Sequence, residues 1–261
     1  MRAILTLILV LSTCGSALAL DPFHATGIDR RAGASIPLDL AFRNETGKRM
    51  TLRQAGNGKP IVLAPVVHRC PNICGLTLAG LAQAVAGQKF VPGRDFTVVA
   101  FGIDPREGPA DTRQSLDKLR QSFPALRDGL HGFTGAEADI RAVTDRLGYR
   151  YAWDDDIQQY AHIAAVAVLT PDGRLSRWLY GITPDPVDLR LALTEAGNGK
   201  IGTWGDQLLL LCYHYDPQTG RYGSLIWTAL RIGGGVTVVA AGGLIGLAIL
   251  RERRRTQRGA P

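Results

Sequence analysis

Two cysteines four residues apart, Cys70 and Cys74, are the residues of this sequence best suited to chemistry. They lie between the apolar run 61–67, which is typical of a buried strand, and the Leu- and Ala-rich stretch 76–86, which is typical of a helix. Cysteines four apart on a helical turn point to the same side, and the positive end of a helix favours thiolates. Two such thiolates can bind a soft metal ion such as Cu(I) or attack a disulfide.

A structural disulfide is the alternative interpretation of this pair. A bridge between Cys70 and Cys74 would close a very small loop and, in the chain-entropy model, would stabilise the fold little. Both cysteines also lie where a strand changes to a helix, which is where α/β proteins place their ligands. We therefore interpret the pair as a site.

A histidine is expected to complete a metal site, and the chain has five. His162 directly precedes the predicted buried strand 163–169, and a histidine at a strand entrance can reach a neighbouring strand-to-helix turn across the end of the sheet. His68 is nearer to Cys70 in sequence, but its side chain can point to the opposite face. His162 is therefore the candidate third ligand, although a histidine in such a position is more often a polar residue with satisfied hydrogen bonds.

Alternating strands and helices must position these residues, and they indicate an α/β fold with a mixed sheet. The predicted strands cover 36–42, 49–52, 61–67, 96–103, 163–169 and 175–180. The predicted helices cover 76–86, 112–123 and 136–147, with a Gly-rich separator at 129–135 before the third. The sequence Pro171-Asp172-Gly173 predicts a hairpin turn, and Thr183 is expected to cap a last helix that stops at Gly197.

Both ends of the chain carry apolar segments. Residues 1–19 combine a basic start, an apolar run and the small-residue sequence Ala17-Leu18-Ala19, as in a secretory signal peptide. A buried N-terminal helix or an uncleaved anchor is the alternative there. Residues 232–250 contain no charge over 19 positions, near the ~20 that a membrane-spanning helix needs. Arginines follow this run, so the positive-inside rule places the tail in the cytoplasm and the preceding region outside.

The formal net charge of +7 comes mainly from these ends. Arg2 and Arg231 contribute one positive charge each and the tail a net four, so that only +1 remains for residues 20–230. A nearly neutral region does not indicate a nucleic-acid surface. The predicted organisation is a signal peptide at 1–19, a folded domain at 20–199, a juxtamembrane extension at 200–230, a transmembrane helix at 231–250 and a basic cytoplasmic tail at 251–261.

A third cysteine of the exported region lies close to the predicted membrane helix. Cys212 and His214 are two residues apart, so on an extended segment both project to one face. Together they could form a second copper site, or Cys212 could resolve a disulfide of the first pair. The alternative is an interfacial segment, since nearby tyrosines suit the membrane headgroup region.

Four ordered segments resemble the Sco/SenC/PrrC family of copper-binding cytochrome oxidase assembly proteins. The segments are Ile61–Leu78 with its C-x3-C, Phe101–Glu107 with its Asp-Pro, Phe133-Thr134-Gly135, and His162 through Asp172-Gly173-Arg174. The resemblance covers about residues 30 to 195 and implies a thioredoxin-like fold.

The resemblance also implies a function and a set of ligands. Copper, as Cu(I) or Cu(II), would be bound by Cys70, Cys74 and His162, with Asp104 beside the site as a supporting residue or a partner contact. The partner would be the copper-accepting subunit of a respiratory oxidase, at the cytoplasmic membrane of a bacterium, with the main domain in the periplasm. Such a protein is a metallochaperone more than an enzyme.

Other functions stay open at this point. A membrane-anchored thiol–disulfide reductase would use Cys70 to attack and Cys74 to resolve, and a tethered scaffold would need only a bridge between them. Two positions depart from the family pattern, Asn72 in place of an acid and Gly75 in place of a proline. The lost charge is expected to raise the thiols' affinity for electrons slightly, while Gly75 loosens the helix start. The predicted anchor is also C-terminal, whereas many members have an N-terminal one.

Overall fold

The structure is a computed structural model that describes residues 25–29, 31, 33–70, 73–197, 213–216, 221–224 and 231–245. Within these ranges the side chains at 73, 74, 213–216 and 222–224 are outside the description. The strands are β1 (Gly27–Ile28), β2 (Ala41–Asn44), β3 (Arg49–Thr51), β4 (Ile61–Val66), β5 (Thr97–Gly102), β6 (Leu130–Thr134), β7 (Tyr149–Arg150), β8 (Ala152–Asp154), β9 (Gln159–Ala161), β10 (Ala165–Leu169), β11 (Leu175–Tyr180), β12 (Tyr213–Asp216) and β13 (Arg221–Ser224). The α-helices with defined bounds are α1 (Leu52–Gly56), α2 (Ile73–Ala86), α3 (Pro109–Ser122), α4 (Glu137–Leu147) and α5 (Pro186–Ala196).

Apolar runs form the centre of the main sheet. Every residue of β4, β5 and β10 is buried, as expected for strands that are covered on both faces. Within the described residues the strand order is β11-β10-β4-β5-β6-β2-β3. The strands β4, β5 and β6 are parallel to one another, and the outer pairings are antiparallel. The predicted α/β class with a mixed sheet is therefore confirmed.

Helices cover both faces of this sheet. On β6, a Cβ added to Gly132 would overlap Thr112 of α3, so α3 lies directly on that face. Phe133 points to the opposite face, where its ring stacks on Phe42 at 5.7 Å between centroids. There Phe42 is also close to Gly135, at the entrance to α4. The helix α2 packs against α3 and α5, and α5 packs against β10 and β11. This arrangement fits a thioredoxin-like fold.

Two predicted elements near the sheet edge were wrong. The strand expected at 36–42 begins only at Ala41, because Leu38 and Asp39 form a turn, although Ile36 and Leu38 are buried and so give the alternating pattern. The Gly-rich segment 129–135, which was expected only to separate two helices, contains the strand β6, which lies between β5 and β2 in the sheet. Its glycine is explained by the close approach of α3 and not by a turn.

The remaining elements mostly follow the sequence. The hairpin of β10 and β11 is confirmed, with Gly173 at a φ of +82 in its turn. The last helix ends before Gly197 as expected, but its N-cap is Asp185, whose carboxylate accepts the N–H of Val187 at 2.7 Å. The predicted cap at Thr183 was wrong because Asp185 lies directly before the helix-starting Pro186.

The C-terminal region is described only in part. Residues 213–216 and 221–224 form the antiparallel hairpin β12–β13, and residues 231–245 are helical. Within the described ranges, no helix has both the length and the apolar character needed to cross a membrane. The predicted signal peptide at 1–19, the end of the predicted transmembrane helix at 246–250 and the tail at 251–261 lie outside the described residues.

Candidate metal site

One edge of the sheet collects the candidate residues. Cys70 follows β4 and Asp104 follows β5, and the carboxyl ends of these parallel strands lie at the same edge. The neighbouring strand β10 is antiparallel to β4, so its entrance lies at that edge too. The pairing of β10 with β4 places Ala167 opposite Leu63, and the same register extended beyond the two strands would place residue 162 opposite residue 68. The sheet therefore brings His162 to the edge from which the cysteine loop leaves.

The loop after β4 carries the first cysteine. Cys70 is half-buried, packs against the hydrophobic core and donates its backbone N–H to the Val67 carbonyl at 3.2 Å. It borders a cavity of about 240 Å³ whose wall includes Gly75 and Lys118. Cys70 thus precedes α2, while Cys74 belongs to the first turn of that helix. The side chain of Cys74 and the two residues between Cys70 and α2 lie outside the description.

A buried carboxylate holds the loop that leads to Cys70. The backbone N–H of Arg69 donates to Glu107 Oε1 at 2.6 Å, and Glu107 is only 6% exposed. Burial raises the pKa of Glu107 to about 7, against the lowering effect of hydrogen bonds from the backbone N–H groups of Arg69 and His68. The charge on Asp104 raises it further. Glu107 is therefore a positioning residue for the loop that carries Cys70.

His68 is turned into the protein. In the described part of the chain, both of its ring nitrogens are shielded from solvent and make no hydrogen bond, although the ring lies near the Phe133 carbonyl. A Cβ added to Gly102 would lie 3.1 Å from His68 Cδ2, so the ring packs directly over that glycine. Burial lowers the pKa of His68 to about 4. The ring is a neutral packing element in this arrangement.

Asp104 is buried and forms an ion pair with Arg106. It is 2% exposed, and Arg106 donates to it from Nε to Oδ1 at 2.8 Å and from Nη2 to Oδ2 at 2.6 Å. Burial alone would raise the pKa of Asp104, but the hydrogen bonds from Arg106 outweigh it and the pKa is lowered. The Arg106 guanidinium lies 4.0 Å from the centroid of Trp153, in the β8–β9 hairpin that precedes His162. Asp104 thus supports the chain segment that carries His162.

His162 is held by a tyrosine. Its Nδ1 lies 2.9 Å from the hydroxyl oxygen of Tyr149 and 3.1 Å from the Ile163 carbonyl oxygen. The same hydroxyl donates to the Ile163 carbonyl at 2.7 Å. Burial lowers the pKa of His162 below its ordinary value, although the contact with the Ile163 carbonyl opposes this. The imidazole is therefore neutral at pH 7, and these contacts hold its Nδ1.

No complete metal cluster can be read from the described side chains. Among them, no three Cys, His, Asp or Glu side chains come together in a way that could hold a metal ion. Cys74 is not among the side chains described, and Cys212 lies outside the described residues. His214 is on β12, where its backbone pairs with Gly223, but its side chain is not described.

The sequence matches a family model that is described as SCO1/SenC. The matched residues are 29–190, which is more than half of the chain. The chain belongs to the SCO1/SenC family. No curated protein matches it significantly.

Two solved structures share the fold of this SCO1/SenC chain, and a third is more distantly similar to it. A putative electron transfer protein from Aquifex aeolicus VF5 is 22% identical with a TM-score of 0.57, and the alignment covers 64% of this chain and 95% of that one. A SCO1/SenC family lipoprotein from Bacillus anthracis str. Ames is 16% identical with a TM-score of 0.51, covering 67% and 100%. ScoI of Arabidopsis thaliana, solved with copper bound, is 24% identical with a TM-score of 0.48, covering 61% and 93%.

The donor set of this SCO1/SenC chain fits copper chemically. Thiolate sulfur and imidazole nitrogen are the donors that Cu(I) prefers over carboxylate and water. Cys70 is half-buried beside a cavity, and His162 reaches the same edge as a neutral ring. The predicted ligands Cys70, Cys74 and His162 are donors of this kind, whereas the Asp104 carboxylate is already bound by Arg106.

Sequence reasoning missed three supporting residues. Glu107 ends one of the segments that resemble the family, but its hydrogen bond with Arg69 joins two loops that are 38 positions apart. The stacking of Arg106 on Trp153 left no pattern in the sequence. Tyr149, directly after the helix-ending Gly148, has only the pattern of an ordinary core aromatic residue.

Proposed function

We propose that this SCO1/SenC chain binds copper through Cys70, Cys74 and His162 and delivers it to the copper-accepting subunit of a respiratory cytochrome oxidase. The observation that carries the proposal is the sheet edge at which the loop of Cys70 and the entrance of β10 with His162 lie side by side. Family membership supports the copper and oxidase parts of the proposal.

Ligand exchange is the chemistry that this arrangement supports. Copper is the cargo, and the two thiolates favour Cu(I). Cys70 is partly exposed beside a cavity, so an incoming ligand of a partner can approach its side of the site. His162 is neutral at pH 7, as a ligand must be, and needs no proton removal before it binds. Stepwise replacement by the partner's own ligands would then release the cargo.

Copper binding by single-residue variants of the full chain tests this proposal. We expect Cys70 and Cys74 of the reduced protein to bind one Cu(I), counted apart from any copper at Cys212 and His214, and a His162→Ala variant to bind this ion at least tenfold more weakly. His131→Gln is the matched control, because His131 lies on β6 beside Glu45 and Arg120 and outside the proposed ligand set. Equal affinity in wild type and His162→Ala would remove His162 from the site.

The same variants separate delivery from thiol chemistry. A thiol–disulfide reductase needs both cysteines but not the histidine, so oxidase assembly that persists in His162→Ala and fails in Cys70→Ser would favour a reductase. Assembly that persists in a Cys70→Ser, Cys74→Ser double variant would contradict both and favour a scaffold. Loss of assembly in each of these variants is the result expected for copper delivery.

We also propose that the protein is exported and held at the cytoplasmic membrane of a bacterium by residues 231–250. The support is the uncharged run at 232–250 and the arginines behind it, together with the signal-like sequence at 1–19. We expect the domain to be digested by protease added to spheroplasts, while a reporter fused to the C-terminus stays protected. A digested C-terminal reporter would reverse the orientation, and extraction by carbonate would exclude a spanning anchor.

Cys212 and His214 remain a proposed second copper site. Their residue types and spacing support it, because residues two apart share a face on an extended segment. His214 lies on the strand β12. A Cys212→Ser, His214→Ala double variant is expected to lose one copper per chain while X-ray absorption of the first site stays unchanged. An unchanged copper content would assign the segment to an interfacial role.

A further inference from the structure

The described contacts of His162 Nδ1 bear on where the proton of this ring lies. They join three atoms: His162 Nδ1, the hydroxyl oxygen of Tyr149 and the carbonyl oxygen of Ile163. Nδ1 lies 2.9 Å from the hydroxyl and 3.1 Å from the carbonyl, while the hydroxyl lies 2.7 Å from the carbonyl. A carbonyl oxygen only accepts hydrogen bonds, so two of the three contacts need a proton from the other partner.

Only one arrangement of protons satisfies all three contacts. The tyrosine hydroxyl has one proton, and the short contact to the Ile163 carbonyl uses it. The hydroxyl oxygen then accepts, and the proton comes from Nδ1, which also points at the carbonyl. In the reverse case the hydroxyl would donate to Nδ1, and the lone pair of Nδ1 would face the lone pairs of the Ile163 carbonyl at 3.1 Å. That contact would be repulsive.

We propose that Tyr149 is a positioning residue that keeps the proton of neutral His162 on Nδ1, so that Nε2 presents its lone pair to copper. This inference rests on the proposed function, because it assigns the copper-binding nitrogen of the same site. A histidine that binds a metal through one nitrogen donates a hydrogen bond from the other, and that partner fixes both tautomer and ring orientation. The pair formed by the Tyr149 hydroxyl and the Ile163 carbonyl would serve as this partner.

The tyrosine is itself held rigidly, which is what a positioning residue requires. Tyr149 is 1% exposed and lies on β7, which pairs with β1. Its ring stacks on Trp178 of β11, with centroids 5.6 Å apart and planes 18° apart. The hydroxyl is thus anchored by packing on two sides and by its hydrogen bond to Ile163. Because the His162 ring is oriented before copper binds, less conformational entropy is lost when it binds.

Nitrogen NMR of the metal-free full chain tests the tautomer directly. Histidine labelled with ¹⁵N gives distinct shifts for protonated and unprotonated ring nitrogens, and the signals of His162 are assigned by their loss in His162→Ala. We expect the proton on Nδ1 in the wild-type protein. A proton on Nε2 would overturn the proposal, and this measurement needs neither copper nor a Tyr149 variant.

Copper affinity of a Tyr149→Phe variant tests the positioning role. Competition with a chromogenic Cu(I) chelator is expected to show about tenfold weaker binding than in wild type, as for other partners of metal-binding histidines. Tyr151→Phe is the matched control, because it removes a hydroxyl from the same aromatic cluster and Tyr151 contacts Tyr149 and Tyr160. Equal affinities in Tyr149→Phe and Tyr151→Phe would overturn the role of Tyr149.

The outcomes distinguish this inference from the function on which it rests. If wild type binds no copper, or if His162→Ala binds it as tightly as wild type, the proposed ligand set fails whatever the tautomer. If His162→Ala weakens binding and Tyr149→Phe does not, the ligand set stands and the positioning role fails. If Tyr149→Phe does not fold, judged by circular dichroism, the tautomer of the wild-type protein decides.

Discussion

The carboxylate of Glu107 accepts the backbone N–H of Arg69 at 2.6 Å, so that a buried acid after β5 holds the loop that leads from β4 to Cys70. The acid is buried at a cost, since burial raises its pKa to about 7 from an ordinary value of 4.5. A backbone anchor of this kind fixes the main chain without placing a charge against the cysteine itself. Because the Glu107 carboxyl has a pKa of about 7, the protonation of the group that holds this loop changes near neutral pH.

Replacing Glu107 with glutamine is expected to change the pH dependence of stability. A carboxyl whose folded pKa is raised stabilises the fold below its unfolded pKa, and this contribution is lost as pH rises through the folded pKa. For Glu107 the loss occurs between about pH 4.5 and pH 7 and amounts to about 3 kcal/mol. Urea unfolding at several pH values should therefore show that the free energy of unfolding of Glu107→Gln rises relative to that of wild type, by about 3 kcal/mol between about pH 4.5 and pH 7.

An exposed acid provides the control for this measurement. Glu137 on α4 has a side chain that is 63% exposed, so a change that Glu137→Gln shares with Glu107→Gln is not an effect of burial. A flat difference between Glu107→Gln and wild type would mean that the Glu107 carboxyl is not held in the buried position described.

His68 is expected to stay neutral far below the pH at which histidines usually protonate. Burial lowers its pKa to about 4, so the stability that depends on the neutral ring is present above pH 6.5 and is lost as pH falls towards 4. An NMR titration of the metal-free full chain should place the midpoint of the His68 ring near pH 4. A midpoint near 6.5 would show that the ring reaches solvent and does not pack over Gly102.

Removing the Arg106 side chain is expected to destabilise the protein through Asp104. The Asp104 carboxylate is buried, and Arg106→Ala leaves it without its charged donors, for which the usual cost is about 1–3 kcal/mol. The pKa of Asp104 should rise, because the arginine hydrogen bonds that lower it are lost. Urea unfolding at pH 7 measures the first effect, and carboxyl NMR the second.

Arg53→Ala is the matched control for this variant. Arg53 forms an equally short ion pair with Asp39, but both side chains are exposed, so its removal should leave stability almost unchanged. An equal loss in both variants would mean that the burial of Asp104 does not decide the effect. Weaker copper binding in Arg106→Ala alone would further support the role of the Arg106–Trp153 contact in placing the hairpin before His162.

Local patterns were enough to predict the centre of the fold and the two ends of the site. The buried runs that become β4, β5 and β10 are long and apolar, so their type and approximate bounds follow from composition. The positions of Cys70 and His162 at one edge then follow from the parallel and antiparallel pairing of these strands. The helix was predicted only from Leu76, whereas in the structure it begins at Ile73 and so includes Cys74 in its first turn.

Long-range contacts decided what local patterns missed. The segment Leu130–Thr134 contains few strand formers, and it becomes an inner strand because Gly132 lets α3 approach and Phe133 joins Phe42 on the other face. The contact of Tyr149 with His162 joins β7 to the segment between β9 and β10 through a side-chain hydroxyl. Neither contact has a periodicity or spacing that a single sequence can show.

Two glycines of α2 are expected to respond to alanine with opposite signs. Gly75 lines the cavity beside Cys70, and a Cβ there would meet no atom of the described residues within 4 Å. Since glycine inside a helix is less favourable than alanine by about 0.5–1 kcal/mol, Gly75→Ala should stabilise the protein by that amount. A Cβ at Gly80 would overlap the carbonyl oxygen of Ile182, so Gly80→Ala should destabilise it by about 1–3 kcal/mol. Urea unfolding of the two variants side by side measures both effects. A loss of stability in Gly75→Ala would show that the start of α2 is packed against other residues and has no open space at Gly75.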